Sequence, residues 1–222
     1  MRIFPLSESA LTIEFGNEIS PDLNDRAISL ADHFTKNPFA GLIEAVPAFA
    51  SVTLFFDLIE CRRAFPNADS LHTVVREIVA QALNTARTSV RTDPRLVEIP
   101  MIVSDEDSPD LAAIAKRTGL TPDEVLDIFT YSTYRVYMLG FLPGFAYMGQ
   151  VDDRIATPRL SSPRTRVPKG SIGIAGKQTG IYPLASPGGW NIIGRTDRQL
   201  FDSLADEPTL LKPGDEVRFA RK

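Results

Sequence analysis

The distribution of glycine most constrains how this chain of 222 residues can fold. Ten of its fourteen glycines lie within residues 140–194, separated by short β-like runs such as residues 172–174 and 190–193. Many short strands punctuated by Gly and Pro predict a barrel or a sandwich and argue against a second alternating α/β unit. The part of the chain from Gly140 onward is therefore expected to form a barrel or a sandwich.

The first ninety residues have a different pattern. Leu11, Ile13 and Phe15 alternate with polar residues, as in a half-buried strand, and Ser20-Pro21 can start a helix. Residues 42–46 and 52–56 resemble two further strands, and an apolar stripe at helical spacing follows over residues 71–86. The predicted order is β-β-α-β-β-α with both helices on one face of a sheet, which defines a small N-terminal α+β domain.

A polar, aperiodic segment at residues 87–95 separates the halves, so the predicted domains are residues 1–90 and 91–222. After it, residues 96–103 resemble a strand, and a short helix is expected to end at Gly119. Thr121 and Glu124 form a predicted capping box that starts a helix running to about Ser132, and a strand follows at residues 134–139.

Composition and charge exclude several classes of protein. Apolar residues make up 43% and charged residues 23%, which excludes a disordered chain, and no apolar run approaches the roughly 20 residues of a membrane span. The N-terminus lacks the unbroken apolar stretch of a signal peptide, and the single cysteine fits a reducing compartment, so a cytoplasmic location is expected.

The net charge of −4 is unevenly distributed, because residues 154–198 contain eight Lys or Arg and one acidic residue. This surplus can attract an anionic ligand, an acidic partner or nucleic acid. Nucleic acid is the weakest of these interpretations, since the basic residues are interrupted by Pro and Gly and the whole chain is acidic.

Several catalytic motifs are absent. The run GIAGKQ at residues 173–178 fails the phosphate-binding loop pattern at two positions, which favours a barrel turn. The only histidines, His33 and His72, precede the second half, so that half has no Ser-His-Asp triad and no His-ligated metal, and we expect no metal site. The acidic cluster at residues 105–110 either complements a helix dipole or presents carboxylates to a substrate or metal.

Two segments are the strongest candidates for binding. The first is an aromatic loop, residues 140–147, which either buries one or two rings in the core or docks a partner or ligand. Its candidate docking residues are Phe141, Pro143, Phe145 and Tyr147. The second segment offers close backbone approach at two glycines, a rigid aromatic wall and planar cationic donors. Its candidate residues are Gly188, Gly189, Trp190 and Arg195, with Arg159 and Arg164 beside them.

Two sequence segments and the spacing between them closely resemble the family of bacterial 5-oxoprolinase B subunits. These segments are GFLPGFAYMG and TPRLSSPRTRVPKGSIGIAGKQTGIYPLASPGGWNIIGRT. That family is also called allophanate hydrolase subunit 1, and it includes the sporulation kinase inhibitor KipI. The resemblance implies a cyclophilin-like β-barrel after the N-terminal domain. It also implies a heteromeric complex with the A and C subunits of the enzyme, which uses ATP to open 5-oxo-L-proline to L-glutamate.

On this resemblance, we expect Arg195, Gln178, Tyr182 and the Gly188-Gly189 backbone to line one anion-binding groove, while the aromatic loop docks the C subunit. ATP belongs to the complex, because this chain has no nucleotide motif, and the isolated chain is expected to be inactive. Alternative functions are a non-enzymatic inhibitor of a sensor histidine kinase and a component of a urea- or allophanate-linked amidohydrolase.

The chain departs from the family pattern in two places. Residues 103–111 keep a glutamate and a Pro-Asp-Leu run but lack an aromatic residue and glycines, which leaves Glu106 and Asp110 as candidate ligand-binding residues. Phe129 stands where relatives often have a histidine. If those positions contact substrate, the chain prefers another substrate or has lost activity.

Overall fold

A computed structural model of the chain describes residues 1–85 and 94–222. The fold divides into two compact units, Met1–Thr92 and Asp93–Lys222. The predicted boundary between residues 90 and 91, with most of the polar segment around it, lies outside the described residues. No helix in the described part of the chain combines the length and the apolar character that a membrane span requires.

The first unit is a four-stranded antiparallel sheet packed against helices. Its elements are β1 (Arg2–Ser7), β2 (Ala10–Glu14), α1 (Pro21–Lys36), β3 (Leu42–Pro47), β4 (Ser51–Phe56), α2 (Leu58–Ala64) and α3 (Leu71–Thr85). The strand order is β1-β2-β4-β3. Alternate residues of β2 and β4, such as Leu11 and Leu54, share one buried core with α1 residues such as Phe34 and α3 residues such as Val79.

The predicted order omitted the short helix α2. Asp57 caps this helix, because its carboxylate accepts hydrogen bonds from the backbone N–H groups of Ile59 and Glu60, both at 2.8 Å. Only Cys61 is buried among its seven residues. A helix of two turns with one buried side chain has no apolar stripe, so the periodicity of the sequence does not indicate it.

The second unit contains a seven-stranded sheet. Its elements are β5 (Leu96–Met101), α4 (Leu111–Thr118), α5 (Pro122–Tyr131), β6 (Thr133–Leu139), β7 (Ala146–Gly149), β8 (Arg164–Val167), β9 (Ser171–Ala175), β10 (Gln178–Ile181), β11 (Ser186–Gly188), β12 (Asn191–Arg195) and β13 (Glu216–Arg221). The strand order is β12-β9-β10-β7-β6-β13-β5, with β5 parallel to β13, and β8 and β11 form a separate antiparallel ribbon.

The two end strands of this sheet meet, which makes the sheet a nearly closed barrel. Just beyond β5, the Ile102 N–H donates to the Arg195 carbonyl of β12 at 2.7 Å, and the Arg195 N–H donates to the Ile102 carbonyl at 2.9 Å. This exchange removes the exposed edges that an open sheet would have. The expected α+β class with a β-barrel in the second half is confirmed.

Helices α4 and α5 follow their predicted signals. Gly119 ends α4 with a φ of +75°, and the Thr121–Glu124 capping box is formed at the start of α5. Phe129 of α5 is fully buried and packs on Phe219 of β13, with ring centroids 4.9 Å apart. The residue that departs from the family pattern is therefore a core residue of the barrel.

Candidate functional site

A cavity of about 420 Å³, which we call the charged pocket, lies beside the seam that closes the barrel. Its walls come from the segment before α4, from β8, from the start of β9 and from β12. The lining residues are Glu106, Asp107, Pro109, Arg164, Pro168, Lys169, Ser171, Ile192 and Arg195. The pocket collects three cations and two carboxylates from parts of the chain that are distant in sequence.

Arg195 is held by two carboxylates. Its Nε donates to Asp107 Oδ1 at 2.7 Å, and its Nη1 forms an ion pair with Asp197. Asp107 also accepts a hydrogen bond from the Ser104 hydroxyl at 2.8 Å. The pKa of Asp107 is lowered by this hydroxyl first and by Arg195 in addition, while the pKa of Arg195 is raised by its bonds to Asp107 and Asp197.

Arg164 is paired in the same way. Its Nη2 donates to Asp110 Oδ1 at 2.6 Å, and the other oxygen of this buried carboxylate accepts from the Ile192 N–H at 2.6 Å. The second terminal nitrogen of Arg164, Nη1, is buried and has no hydrogen-bond partner among the described residues. Arg164 and Arg195, two of the three predicted arginines, therefore line this pocket, and Asp110 and Asp107 pair with them.

Two further charged residues of the pocket have no ion-pair partner in the described part of the chain. Glu106 and Lys169 are both exposed and both line the cavity. Glu106 is one of the predicted candidates, whereas Lys169 is not. Its position between Pro168 and Gly170, at the start of a barrel strand, is the signal in the sequence that could have found it.

A second, smaller cavity of about 220 Å³ is mainly aromatic, and we call it the aromatic pocket. Its lining residues are Phe141, Phe145, Tyr147, Arg159, Pro163, Tyr182, Pro187, Gly188, Gly189 and Trp190. Phe145 is buried at its centre, with ring centroids 5.4 Å from Tyr182, 5.5 Å from Trp190 and 4.8 Å from Tyr147. Burial raises the pKa of the Tyr182 hydroxyl, which keeps that group neutral.

The aromatic loop serves both as core and as surface. Phe145 is buried and Tyr147 is half-buried, whereas Phe141 is 60% exposed and Pro143 is exposed beside it. Phe141 has a φ of +68°, a conformation that side chains other than glycine rarely adopt. Arg159 adds a cation at this pocket, with its guanidinium carbon 5.8 Å from the centre of the Trp190 ring.

The residues expected in one groove are divided between these two cavities. Arg195 lines the charged pocket, whereas Tyr182, Gly188 and Gly189 line the aromatic pocket. The cavities are adjacent, because Arg164 of β8 is the cross-strand partner of Gly188 on β11. Gly188 permits close packing there, since a Cβ at this position would lie 2.4 Å from the Tyr182 hydroxyl.

Gln178 lies at neither cavity. It pairs with Ala175 and with Gly149 inside the barrel sheet, at the start of β10. The strand register, which the sequence motif does not reveal, places it there instead of beside Arg195.

The turn between β9 and β10 contains the run that partly matches a phosphate-binding loop. Gly176 and Lys177 form this two-residue turn, and Lys177 pairs with Asp153 at 2.6 Å. No helix follows the turn, so these residues do not fit the phosphates of ATP. Among the described residues, no group of three or more His, Cys, Asp or Glu side chains is arranged to hold a metal ion.

An α+β unit followed by a nearly closed barrel is an architecture that solved structures share. The chain superposes on the crystal structure of TTHA0988 with a TM-score of 0.81 and 36% identity, over 96% of this chain and 40% of that longer chain. It also matches the conserved uncharacterized protein PH0987 from Pyrococcus horikoshii, with a TM-score of 0.56 and 41% identity over 100% and 97% of the two chains.

The sequence comparisons give the family. The carboxyltransferase domain, subdomain C and D, matches residues 1–211. The chain is 44% identical to the 5-oxoprolinase B subunit of Bacillus subtilis, over 99% of this chain and 92% of that protein, and 36% identical to the Escherichia coli O157:H7 protein of the same name, over 98% and 94%. The chain therefore belongs to the family of 5-oxoprolinase B subunits, and the resemblance noted from its motifs is confirmed.

A more distant relative is a larger enzyme. The chain is 25% identical to the urea amidolyase of Saccharomyces cerevisiae, over 93% of this chain and only 12% of that protein. The same two-unit module is thus also found as a small part of a multidomain protein.

Proposed function

We propose that this chain is the B subunit of a heteromeric, ATP-dependent 5-oxoprolinase that acts with the A and C subunits. The observation that carries the proposal is the charged pocket, on a chain that matches named 5-oxoprolinase B subunits over nearly its whole length. The identity to these proteins exceeds the 25% identity to urea amidolyase, so a cyclic amide is preferred over urea as the substrate.

The chemistry of the pocket suits such a substrate. Opening 5-oxo-L-proline breaks the lactam C–N bond and adds the oxygen of water to the carbonyl carbon, which becomes a carboxylate. Both protons of the water are then carried by the released nitrogen, which becomes an ammonium group. The substrate carries a carboxylate, which cationic donors bind. It also carries a lactam N–H, which can donate a hydrogen bond to a carboxylate of the protein. Arg164, Lys169 and Glu106 bring both kinds of group to one cavity.

The remaining parts of the reaction fall to the partners in this proposal. The β9–β10 turn does not fit the phosphates of ATP, so we assign nucleotide binding to the partners or to a shared interface. The exposed Phe141 and Pro143 beside the aromatic pocket are the proposed docking surface for the C subunit. The charged pocket is a half-site that the partner completes, so the isolated chain is inactive. A reaction that consumes ATP supports a cytoplasmic location for the complex.

The test is reconstitution. The chain is co-expressed with relatives of the A and C subunits, and ATP hydrolysis and glutamate formation are measured with 5-oxo-L-proline or urea. We expect turnover with 5-oxo-L-proline, lost in Arg195→Ala and kept in Arg154→Ala, a matched change at an exposed arginine that pairs with Asp152. Turnover with urea alone, or binding of a sensor histidine kinase without any turnover, would contradict the proposal.

A further inference from the structure

The charges of the charged pocket are not equally available to a ligand. Arg195 is bonded to Asp107 and Asp197, and Arg164 Nη2 is bonded to Asp110. An opposite charge at hydrogen-bond distance cancels much of the field of each arginine. Carboxylates of this chain therefore largely neutralise Arg164 and Arg195, the two arginines of the pocket that the sequence predicted as binding residues.

Two charged side chains of the pocket remain for a ligand. Lys169 and Glu106 are exposed, line the cavity and have no ion-pair partner among the described residues. One positive end and one negative end thus face the same cavity.

We propose that Lys169 binds the carboxylate of the ligand, and that Glu106 accepts a hydrogen bond from its N–H group. The ligands are small molecules in which one carbon atom carries both a carboxylate and a nitrogen with an N–H. This class comprises α-amino acids and their cyclic amides. The choice of 5-oxo-L-proline within this class rests on the proposed function. Arg195 is then a positioning residue that holds Asp107 and the barrel seam.

The assignment makes Lys169 a determinant of specificity. An ammonium group binds a carboxylate as a point charge, and removing it weakens that binding without moving the lactam. A ligand without the carboxylate should therefore not respond to the loss of Lys169. 2-Pyrrolidinone is that ligand, because it keeps the lactam ring and lacks the carboxylate.

The experiment compares Lys169→Met, Lys169→Arg and Glu106→Gln in the reconstituted complex. Lys177→Met is the matched control, because Lys177 lies on a barrel turn and pairs with Asp153. We expect Lys169→Met to raise the KM for 5-oxo-L-proline about tenfold to a hundredfold with kcat within about twofold, since one charge-assisted contact is lost. Lys169→Arg restores most of the affinity, and the inhibition constant of 2-pyrrolidinone stays the same in Lys169→Met.

For Glu106→Gln, we expect weaker binding of both 5-oxo-L-proline and 2-pyrrolidinone, because both carry the lactam N–H. A KM that stays within about twofold in Lys169→Met, or one that rises equally in Lys177→Met, would overturn the assignment.

The inference and the proposed function can fail separately. If the complex does not turn over 5-oxo-L-proline, the proposed function has failed, and ligand binding to the assembled complex decides the inference. Titrations of the complex with L-glutamate and 5-oxo-L-proline are then followed by ligand-observed NMR. Binding that weakens in Lys169→Met and not in Lys177→Met supports the assignment, whereas equal binding by both variants, or none by the wild-type complex, overturns it.

Discussion

Arg195 and Asp107 are 88 residues apart in sequence, and the Arg195 Nε donates to the Asp107 carboxylate at 2.7 Å. The backbone of Arg195 also exchanges two hydrogen bonds with Ile102, so one residue both closes the barrel and fixes a wall of the charged pocket. Loss of this bond should therefore affect the stability of the second unit as well as the shape of the pocket.

The first prediction concerns pH and Asp107→Asn. The pKa of Asp107 is lower in the folded state than its ordinary value of about 3.9, so its stabilisation is present above that value and disappears as pH falls through the folded pKa. We expect Asp107→Asn to lower the free energy of unfolding by about 1–2 kcal/mol near neutral pH, because a charge-assisted hydrogen bond is lost.

Urea denaturation at about pH 7 and about pH 3.5 measures this difference, which should shrink at the lower pH. An equal difference at both pH values would show that the carboxylate charge of Asp107 is not what stabilises the seam.

The second prediction compares Gly170→Ala with Gly119→Ala. Both glycines have positive φ, +85° and +75°, but a Cβ at Gly170 would lie 2.1 Å from the Thr196 carbonyl, whereas a Cβ at Gly119 would meet nothing within 4 Å. We expect Gly119→Ala to cost about 1 kcal/mol and Gly170→Ala clearly more, because only the second adds a clash with the backbone. Thermal denaturation of both variants measures the difference, and equal losses would contradict the geometry of the pocket wall.

The third prediction separates docking from folding at Phe141. Because Phe141 has a φ of +68°, Phe141→Gly should leave the stability of the isolated chain unchanged or raise it by about 1 kcal/mol. The same variant should bind the C subunit more weakly, by about tenfold or more, since an exposed aromatic anchor is lost. Isothermal titration calorimetry gives the affinity.

Tyr131→Ala is the control for Phe141, because Tyr131 is a 92% exposed aromatic residue at the end of α5, outside both cavities. Equal weakening by both variants, or undiminished binding by Phe141→Gly, would remove the aromatic loop from the interface.

The fourth prediction is a double-mutant cycle on Arg164 and Asp110. Asp110→Asn keeps an acceptor for the Ile192 N–H but leaves Arg164, a partly buried cation, without its counter-charge. We expect it to destabilise the chain by about 2–3 kcal/mol, and Arg164→Met added to it to recover part of that loss. Urea denaturation of both single variants and the double variant measures the coupling, and strictly additive losses would contradict a direct ion pair.

Local features of the fold could be predicted from the sequence. The Thr121–Glu124 capping box, the Gly119 helix end and the strand around Leu11 depend on neighbours within a few residues, and all three are found in the structure. The helix α2 was missed, because a single buried residue, Cys61, produces no periodic pattern.

The site was harder to predict, because it depends on contacts between distant segments. The sequence predicted Arg164 and Arg195 as cations that a ligand could bind. It could not indicate that Asp110, 54 residues from Arg164, pairs with Arg164, or that Asp107 pairs with Arg195. Gln178 lies in the sheet because of the strand register. Lys169 lines the pocket because the chain turns at Gly170.

On the proposed function, this chain holds half of a substrate site, and a second polypeptide completes it. The rate of 5-oxo-L-proline-dependent ATP hydrolysis is measured for the purified chain alone, for each partner alone and for all three together. We expect turnover only in the complete mixture. Turnover by the purified chain alone would show that its site needs no partner.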